Sequence, residues 1–174
     1  MSESQPPARS HEGFVPNRVL IVGYSYDAPQ IATEVADYLR SKGISSSILD
    51  KDPWNEPPGA YSASIIDGAR TIAASSDLII VLGGDGSFLR GTDLAHGADI
   101  PLIGINMGHV GFLAELEADH IWDALDRLVE GDFTIEDRMT IDVDVISGDR
   151  VRTGSWAINE LSLEKASHRG ILEA

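Results

Sequence analysis

The sequence predicts a parallel α/β sheet followed by the start of an antiparallel β unit. Three observations predict this. The apolar runs Val19-Leu20-Ile21-Val22 and Leu78-Ile79-Ile80-Val81-Leu82 are continuous, not alternating, as suits strands buried on both faces. Segments with apolar residues at helical spacing separate these runs, the order of a βαβ chain. After about residue 135 the pattern changes to period two. There Ile141, Val143 and Val145 alternate with Asp142 and Asp144, which predicts a strand with one wet face.

Each element follows in turn. Residues 1–17 are polar and proline-containing and read as a disordered leader, without the apolar stretch of a signal peptide. The first strand ends at Gly23. Ile31, Val35, Tyr38 and Leu39 then mark one face of a helix, with Gly43 as its stop. Ile48-Leu49 reads as a second strand, and Asp50 to Gly59, with three prolines, as a loop. Ile65, Ile66, Ala69, Ile72 and Ala73 form a second amphipathic stripe. The strand at 78–82 runs into Gly83-Gly84-Asp85-Gly86-Ser87, and a helix through Phe88, Leu89 and Leu94 follows. Pro101 to Ile105 is a fourth strand, leading into a glycine-rich loop from Asn106 to Gly111. Ile121, Trp122, Leu125, Leu128 and Val129 make a further helix. Ser147-Gly148-Asp149 reads as a hairpin turn and Trp156 to Leu163 as the partner strand. The expected organisation is therefore a leader over 1–17, an α/β domain over 18–135, and the incomplete beginning of a β-rich domain over 136–174.

Composition narrows the function. Thirteen basic against 28 acidic side chains give a net charge of −15. That opposes a general nucleic-acid-binding role and docking on an anionic membrane, since both need basic surface. No cysteine is present, which removes disulfides, thiolate zinc sites and cysteine nucleophiles. No apolar run approaches the roughly 20 residues that span a bilayer. A soluble, cytoplasmic protein is the expectation. The five histidines show no metal-ligand spacing, and the run around Glu115, Glu117 and Asp119 reads as a solvated approach to a helix.

Chemistry concentrates in the glycine string between the strand at 78–82 and the helix after it. Glycines there let backbone amides approach phosphate oxygens, and a following helix N-terminus adds a positive dipole end. Asp85 is out of place in a loop that merely holds anions, because a carboxylate repels phosphate. It fits a site in which it binds Mg²⁺ or accepts a proton from an attacking hydroxyl. Arg90, about one turn into the helix, can offset phosphate charge. The plainer alternative is a tight turn with Asp85 or Ser87 as an N-cap. No lysine follows the glycines, so this is not a Walker A loop, and the Gly-x-Gly-x-x-Gly fingerprint is missing as well. Gly104, Gly108 and Gly111 mark a second backbone-lined loop, where Asn106 and Phe112 are either ligand contacts or a turn cap and a core side chain. Asn159-Glu160 interrupts an apolar stretch. Adjacent strand residues face opposite ways, so both serve one ligand only at a strand end or bulge; ordinary alternation is the plainer reading.

Three motifs in this order resemble the NAD kinase (inorganic polyphosphate/ATP-NAD kinase) family. Gly83-Gly84-Asp85-Gly86-Ser87 is similar to its Gly-Gly-Asp-Gly motif, with serine where many members have threonine. Ile105 to Leu113 resembles its second motif, and Asn159-Glu160 with Leu161-Ser162-Leu163 its third. The resemblance covers roughly residues 18–172, and it implies phosphorylation of the adenosine-ribose 2′-hydroxyl of NAD by ATP or polyphosphate. By the match, Asp85 would be the catalytic acidic residue, as base or through Mg²⁺. Gly83, Gly84 and Ser87 would form the phosphate loop. Asp85, Gly86, Arg90, Phe112, Asn159 and Glu160 would contact substrate. Full-length members self-associate and continue into a further β-rich domain, so the resemblance also implies low activity for these 174 residues alone. The alternatives are a sugar-phosphate or lipid kinase sharing the first motif, or a nucleotide-binding remnant without turnover.

Overall fold

The computed structural model of the chain describes residues 14–24, 28–49, 51–52, 54, 60–98, 100–108, 113, 116–148 and 150–158. One compact unit runs to Ile135 and a second begins at Glu136.

The first unit alternates strands and helices: β1 (Arg18–Gly23), α1 (Ala28–Ser41), β2 (Ser45–Leu49), α2 (Ala60–Ala74), β3 (Leu78–Leu82), α3 (Asp85–Ala95), β4 (Leu102–Asn106), β5 (Leu116–Glu117) and α4 (Ile121–Glu130). The strands form one parallel sheet in the order β2-β1-β3-β4-β5. The five residues of β3 are all buried, and so are the last five of β1, as their continuous apolar runs require. Alternate strand residues feed two cores. Val19, Ile21, Ile80 and Leu82 meet α1 and α4 through Val35, Leu39, Leu125 and Leu128. Leu20, Val22, Ile79 and Val81 meet α2 and α3 through Ala69, Ala73 and Leu94. The result is a helix–sheet–helix sandwich.

Helix α1 stops where the sequence places Gly43: the Gly43 amide donates to the Arg40 carbonyl and the Ile44 amide to that of Leu39. Helix α3 lies close to the sheet because residue 91 is glycine. A Cβ there would come within 2.5 Å of Val81 Cγ2 and 3.0 Å of Leu102 Cδ1. Not every residue of the predicted stripes is inside. Ile72, Leu89 and Trp122 are exposed, Trp122 resting edge-on against the Tyr38 ring at 5.9 Å. The stripes are wider than the sheet can cover.

Sequence and structure differ at two further places. The acidic run is not only an approach to a helix: Leu116–Glu117 pairs with the end of β4, and a 3₁₀ turn, Ala118–His120, then leads into α4. Two residues are too few for a periodic signal. The second unit contains a hairpin of β6 (Thr140–Ser147) and β7 (Arg150–Ile158). The partner strand therefore starts at Arg150, not Trp156, because pairing resumes directly after the turn with Ser147 opposite Arg150. The polar stretch before Trp156 hides this. A bulge between Val145 and Ile146 breaks the register, and Ile141, Val145 and Ile146 are exposed, so the apolar side of β6 is not a covered face. The expected leader lies mostly outside the described residues.

Candidate active site

In a sheet of order 2-1-3-4-5, the chain steps from β1 outward to β2, then crosses back past β1 to β3 and continues on the other side, so the direction of winding reverses between β1 and β3. Ligands bind at the carboxyl ends of the strands flanking such a switch point. Here Gly23 is paired with Leu82, and Leu82 with Ile105. Tyr24, Gly83 and Asn106, the last residue of β4, therefore come side by side at the sheet's carboxyl edge.

The glycine string begins at once. The Gly83 amide donates to the Ile105 carbonyl at 3.0 Å, which joins this loop to the end of β4. Gly83 has φ +157°, and a Cβ on it would lie 2.5 Å from Ser87 Oγ and 2.7 Å from Ser87 Cβ. Only glycine allows the loop to fold back this tightly onto the first turn of α3. That helix is capped by Gly84 in extended conformation, with no side-chain cap hydrogen bond. The N-cap alternative for Asp85 or Ser87 is thereby set aside. A helix start of this kind, with no side-chain cap hydrogen bond, is where the helix dipole favours an anion. The Asp85 carboxylate instead reaches across: its Oδ1 accepts the Leu113 amide at 3.0 Å. The first and second glycine loops are tied together through the residue whose chemistry is in question.

Asn106 is buried, and its Oδ1 accepts the Gly108 amide at 3.1 Å, so it caps the turn after β4. Arg90, on α3, forms an ion pair with Asp52 from the segment after β2. Its Cζ lies 6.0 Å from the centroid of the Tyr24 ring. The Tyr24 hydroxyl is buried and has no hydrogen-bond partner among the described residues. Burial pushes its ionisation well above the usual phenol range, against the opposing charge of Arg90.

Of the residues predicted for the site, Gly83, Gly84, Asp85, Gly86, Ser87 and Arg90 share one loop and helix start at the sheet's carboxyl edge. Phe112, Asn159 and Glu160 lie outside the described residues. Sequence reasoning missed Tyr24 and Asp52. Asp52 carries one readable sign: its Oδ1 accepts the amide of Trp54, two residues on, the Asx turn expected of an aspartate opening a proline-rich loop. Among the described residues no group of three or more His, Asp or Glu side chains is placed to hold a metal ion. A small cavity of about 100 Å³ lies at the opposite edge of the sheet, lined by Arg18 and Ser45 among others; Arg18 is already paired with Asp77, so this cavity is not where the chemistry gathers.

Known proteins are similar to this chain over most of its length. The family model described as the ATP-NAD kinase N-terminal domain matches residues 20–133. An NAD kinase of Corynebacterium efficiens is 43% identical over 162 residues, covering 90% of this chain and 51% of that protein. One of Nocardia farcinica is 40% identical, covering 91% and 50%. One of Mycobacterium tuberculosis is 46% identical over 134 residues, covering 74% and 44%. The chain thus spans about half the length of the curated relatives it matches. Yeast NADH kinase, solved in complex with NADH, superposes with a TM-score of 0.60 at 14% identity, over 82% of this chain and 47% of that one, a likeness of fold.

Proposed function

We propose that this chain, which belongs to the ATP-NAD kinase family, carries the glycine-loop part of an enzyme that phosphorylates the 2′-hydroxyl of NAD's adenosine ribose. The observation that carries the reading is the position of Asp85. It heads α3 at the switch point, within an uncapped first turn, and its carboxylate is held by the Leu113 amide of the second glycine loop. A carboxylate oriented in this way can accept the ribose 2′-proton as the 2′-oxygen bonds to the γ-phosphorus of ATP. The bond from that phosphorus to the bridging oxygen breaks, and ADP leaves. Gly84, Gly86 and Ser87 offer backbone and hydroxyl donors to the phosphates, Gly83 shapes the loop with its amide held by the Ile105 carbonyl, and Arg90 offers a cation.

The donor set fits a magnesium ion that arrives on phosphates. No three-ligand protein cage exists among the described residues, and Mg²⁺ in such sites takes only one or two carboxylates. Asp85 would hold it, and the ion would neutralise charge on the donor. Phe112, Asn159 and Glu160 complete the proposed nucleotide contacts, by resemblance. ATP is the donor in this reading, polyphosphate the alternative; the full-length enzyme self-associates and works in the cytoplasm. No helix among the described residues is long and apolar enough to cross a membrane.

The test is NADP formation from NAD and Mg-ATP by this chain beside Asp85→Asn. The parent should make NADP only slowly, since it spans about half the length of its relatives. The variant should lose about 10²–10⁴-fold in rate, the usual worth of a positioned base, while NAD binding stays within a few-fold. A folded parent that neither binds NAD nor makes NADP would overturn the reading.

A further inference from the structure

The pairing of Arg90 has a further consequence. A free arginine in a chain of net charge −15 would be shared among many carboxylates and would lose considerable side-chain freedom on binding a ligand. Arg90 is not free. Asp52 Oδ2 takes its Nη1, and the Tyr24 ring lies beside its guanidinium. Asp52 is itself fixed, since its other oxygen accepts the Trp54 amide at 3.0 Å and its side chain is only 7% exposed. Both oxygens of the carboxylate are therefore occupied, one by the loop backbone and one by the arginine. A fold staple would bury both partners. Here the Arg90 side chain keeps 37% of its surface exposed, and one of its five N–H donors is spent on Asp52 Oδ2. It sits little more than one turn from Asp85, with Tyr24 marking the adjacent end of β1.

We infer that Asp52 is a positioning residue, which holds Arg90 so that its remaining guanidinium donors meet the phosphate of a ligand at the β1/β3 crevice. The role rests on the functional reading above for the ligand's identity, but its chemistry needs only a phosphoryl group. Asp52 touches no ligand and acts through Arg90. A purely electrostatic view makes the opposite forecast: Asp52 is a negative charge near an anion site and should only weaken binding.

A charge-conserving displacement separates the two. The 174-residue chain, Asp52→Glu, Arg90→Gln and the double variant are each titrated with inorganic pyrophosphate, with NAD and with adenosine, and each is melted to verify folding. The added methylene of Asp52→Glu moves the carboxylate without removing its charge. Pyrophosphate affinity should fall roughly tenfold in Asp52→Glu and as far in Arg90→Gln. The double variant should be no weaker than Arg90→Gln, and adenosine uptake should be unchanged throughout. Should Asp52→Glu fail to fold, Arg90→Lys decides, because lysine keeps the charge without the fork and should lose as much as Arg90→Gln. Pyrophosphate affinity within twofold of the parent in Asp52→Glu, a penalty that persists in the Arg90→Gln background, a parent-like Arg90→Lys, or a parent that takes up no pyrophosphate would each overturn the inference. The NAD arm tells the two readings apart. NAD binding without pyrophosphate coupling leaves the kinase reading and removes this one. Coupled pyrophosphate binding without NAD binding does the reverse.

Discussion

At the residue scale, a few carboxylates organise backbone more than they decorate the surface. Asp77 Oδ2 accepts the amides of Asn17 and Arg18, both at 2.9 Å, and its Oδ1 the Arg18 guanidinium at 3.3 Å. Burial would raise its ionisation, but the two amides and the guanidinium outweigh burial and hold it below the ordinary 3.8. A carboxyl depressed in the folded state stabilises the fold above its unfolded value, and that stability is lost as pH falls through the folded one. Thermal melts between pH 6 and 2.5 should therefore show the parent losing stability below about pH 4. Asp77→Asn should begin about 1 kcal/mol lower at neutral pH and lack that part of the slope. A parallel pair of curves would contradict this. Asp85 and Asp52 do similar work at the other edge of the sheet, each with one oxygen on a backbone amide of a different segment.

At the scale of elements, α3 carries the site, and its closeness to the sheet depends on Gly91. Replacing Gly91 by alanine gains intrinsic helix propensity of about 1 kcal/mol. The new Cβ would nonetheless lie 2.5 Å from a methyl of Val81, a fully buried and β-branched residue that cannot rotate away. Overpacking costs about 1–3 kcal/mol and displaces the helix. Gly91→Ala should lower the melting temperature and weaken NAD binding together, since Asp85 and Arg90 ride on the same helix. Alanine at the exposed Gly86, where a Cβ meets nothing within 4 Å, should keep the helix-propensity gain unopposed and hold or raise the melting temperature. A melt of Gly91→Ala at or above the parent's would show that the sheet yields more easily than its packing implies.

At the scale of the whole molecule, the chain holds a unit with two covered sheet faces and a hairpin that is largely exposed. Ile146 is 65% exposed and Val145 51%. A two-stranded ribbon is marginal by itself, and exposed apolar strands invite pairing with other chains. Ile146→Thr should reduce self-association in sedimentation. It should shift the melt of the α/β unit by no more than about 0.5 kcal/mol, as expected for an exposed side chain. Unchanged sedimentation would mean that this face does not drive association.

The sequence by itself determined the class of the fold, the strands β1 and β3, and the glycine loop with Asp85 at its centre. These are local signals: continuous apolar runs, helical spacing, and glycines placed directly after a strand. Periodicity cannot report partners far apart in the chain, and those were decided by tertiary structure. Arg90 and Asp52 are 38 residues apart, Asp85 and Leu113 are 28 apart, and Asp77 lies 60 from Asn17. Each tie exists because the parallel order β2-β1-β3-β4 gathers the strand starts at one edge, where Asp77 meets Asn17, and the segments after the strands at the other, where the remaining two ties form. A two-residue strand and a turn-defined hairpin register were equally out of reach, because neither is long enough to repeat.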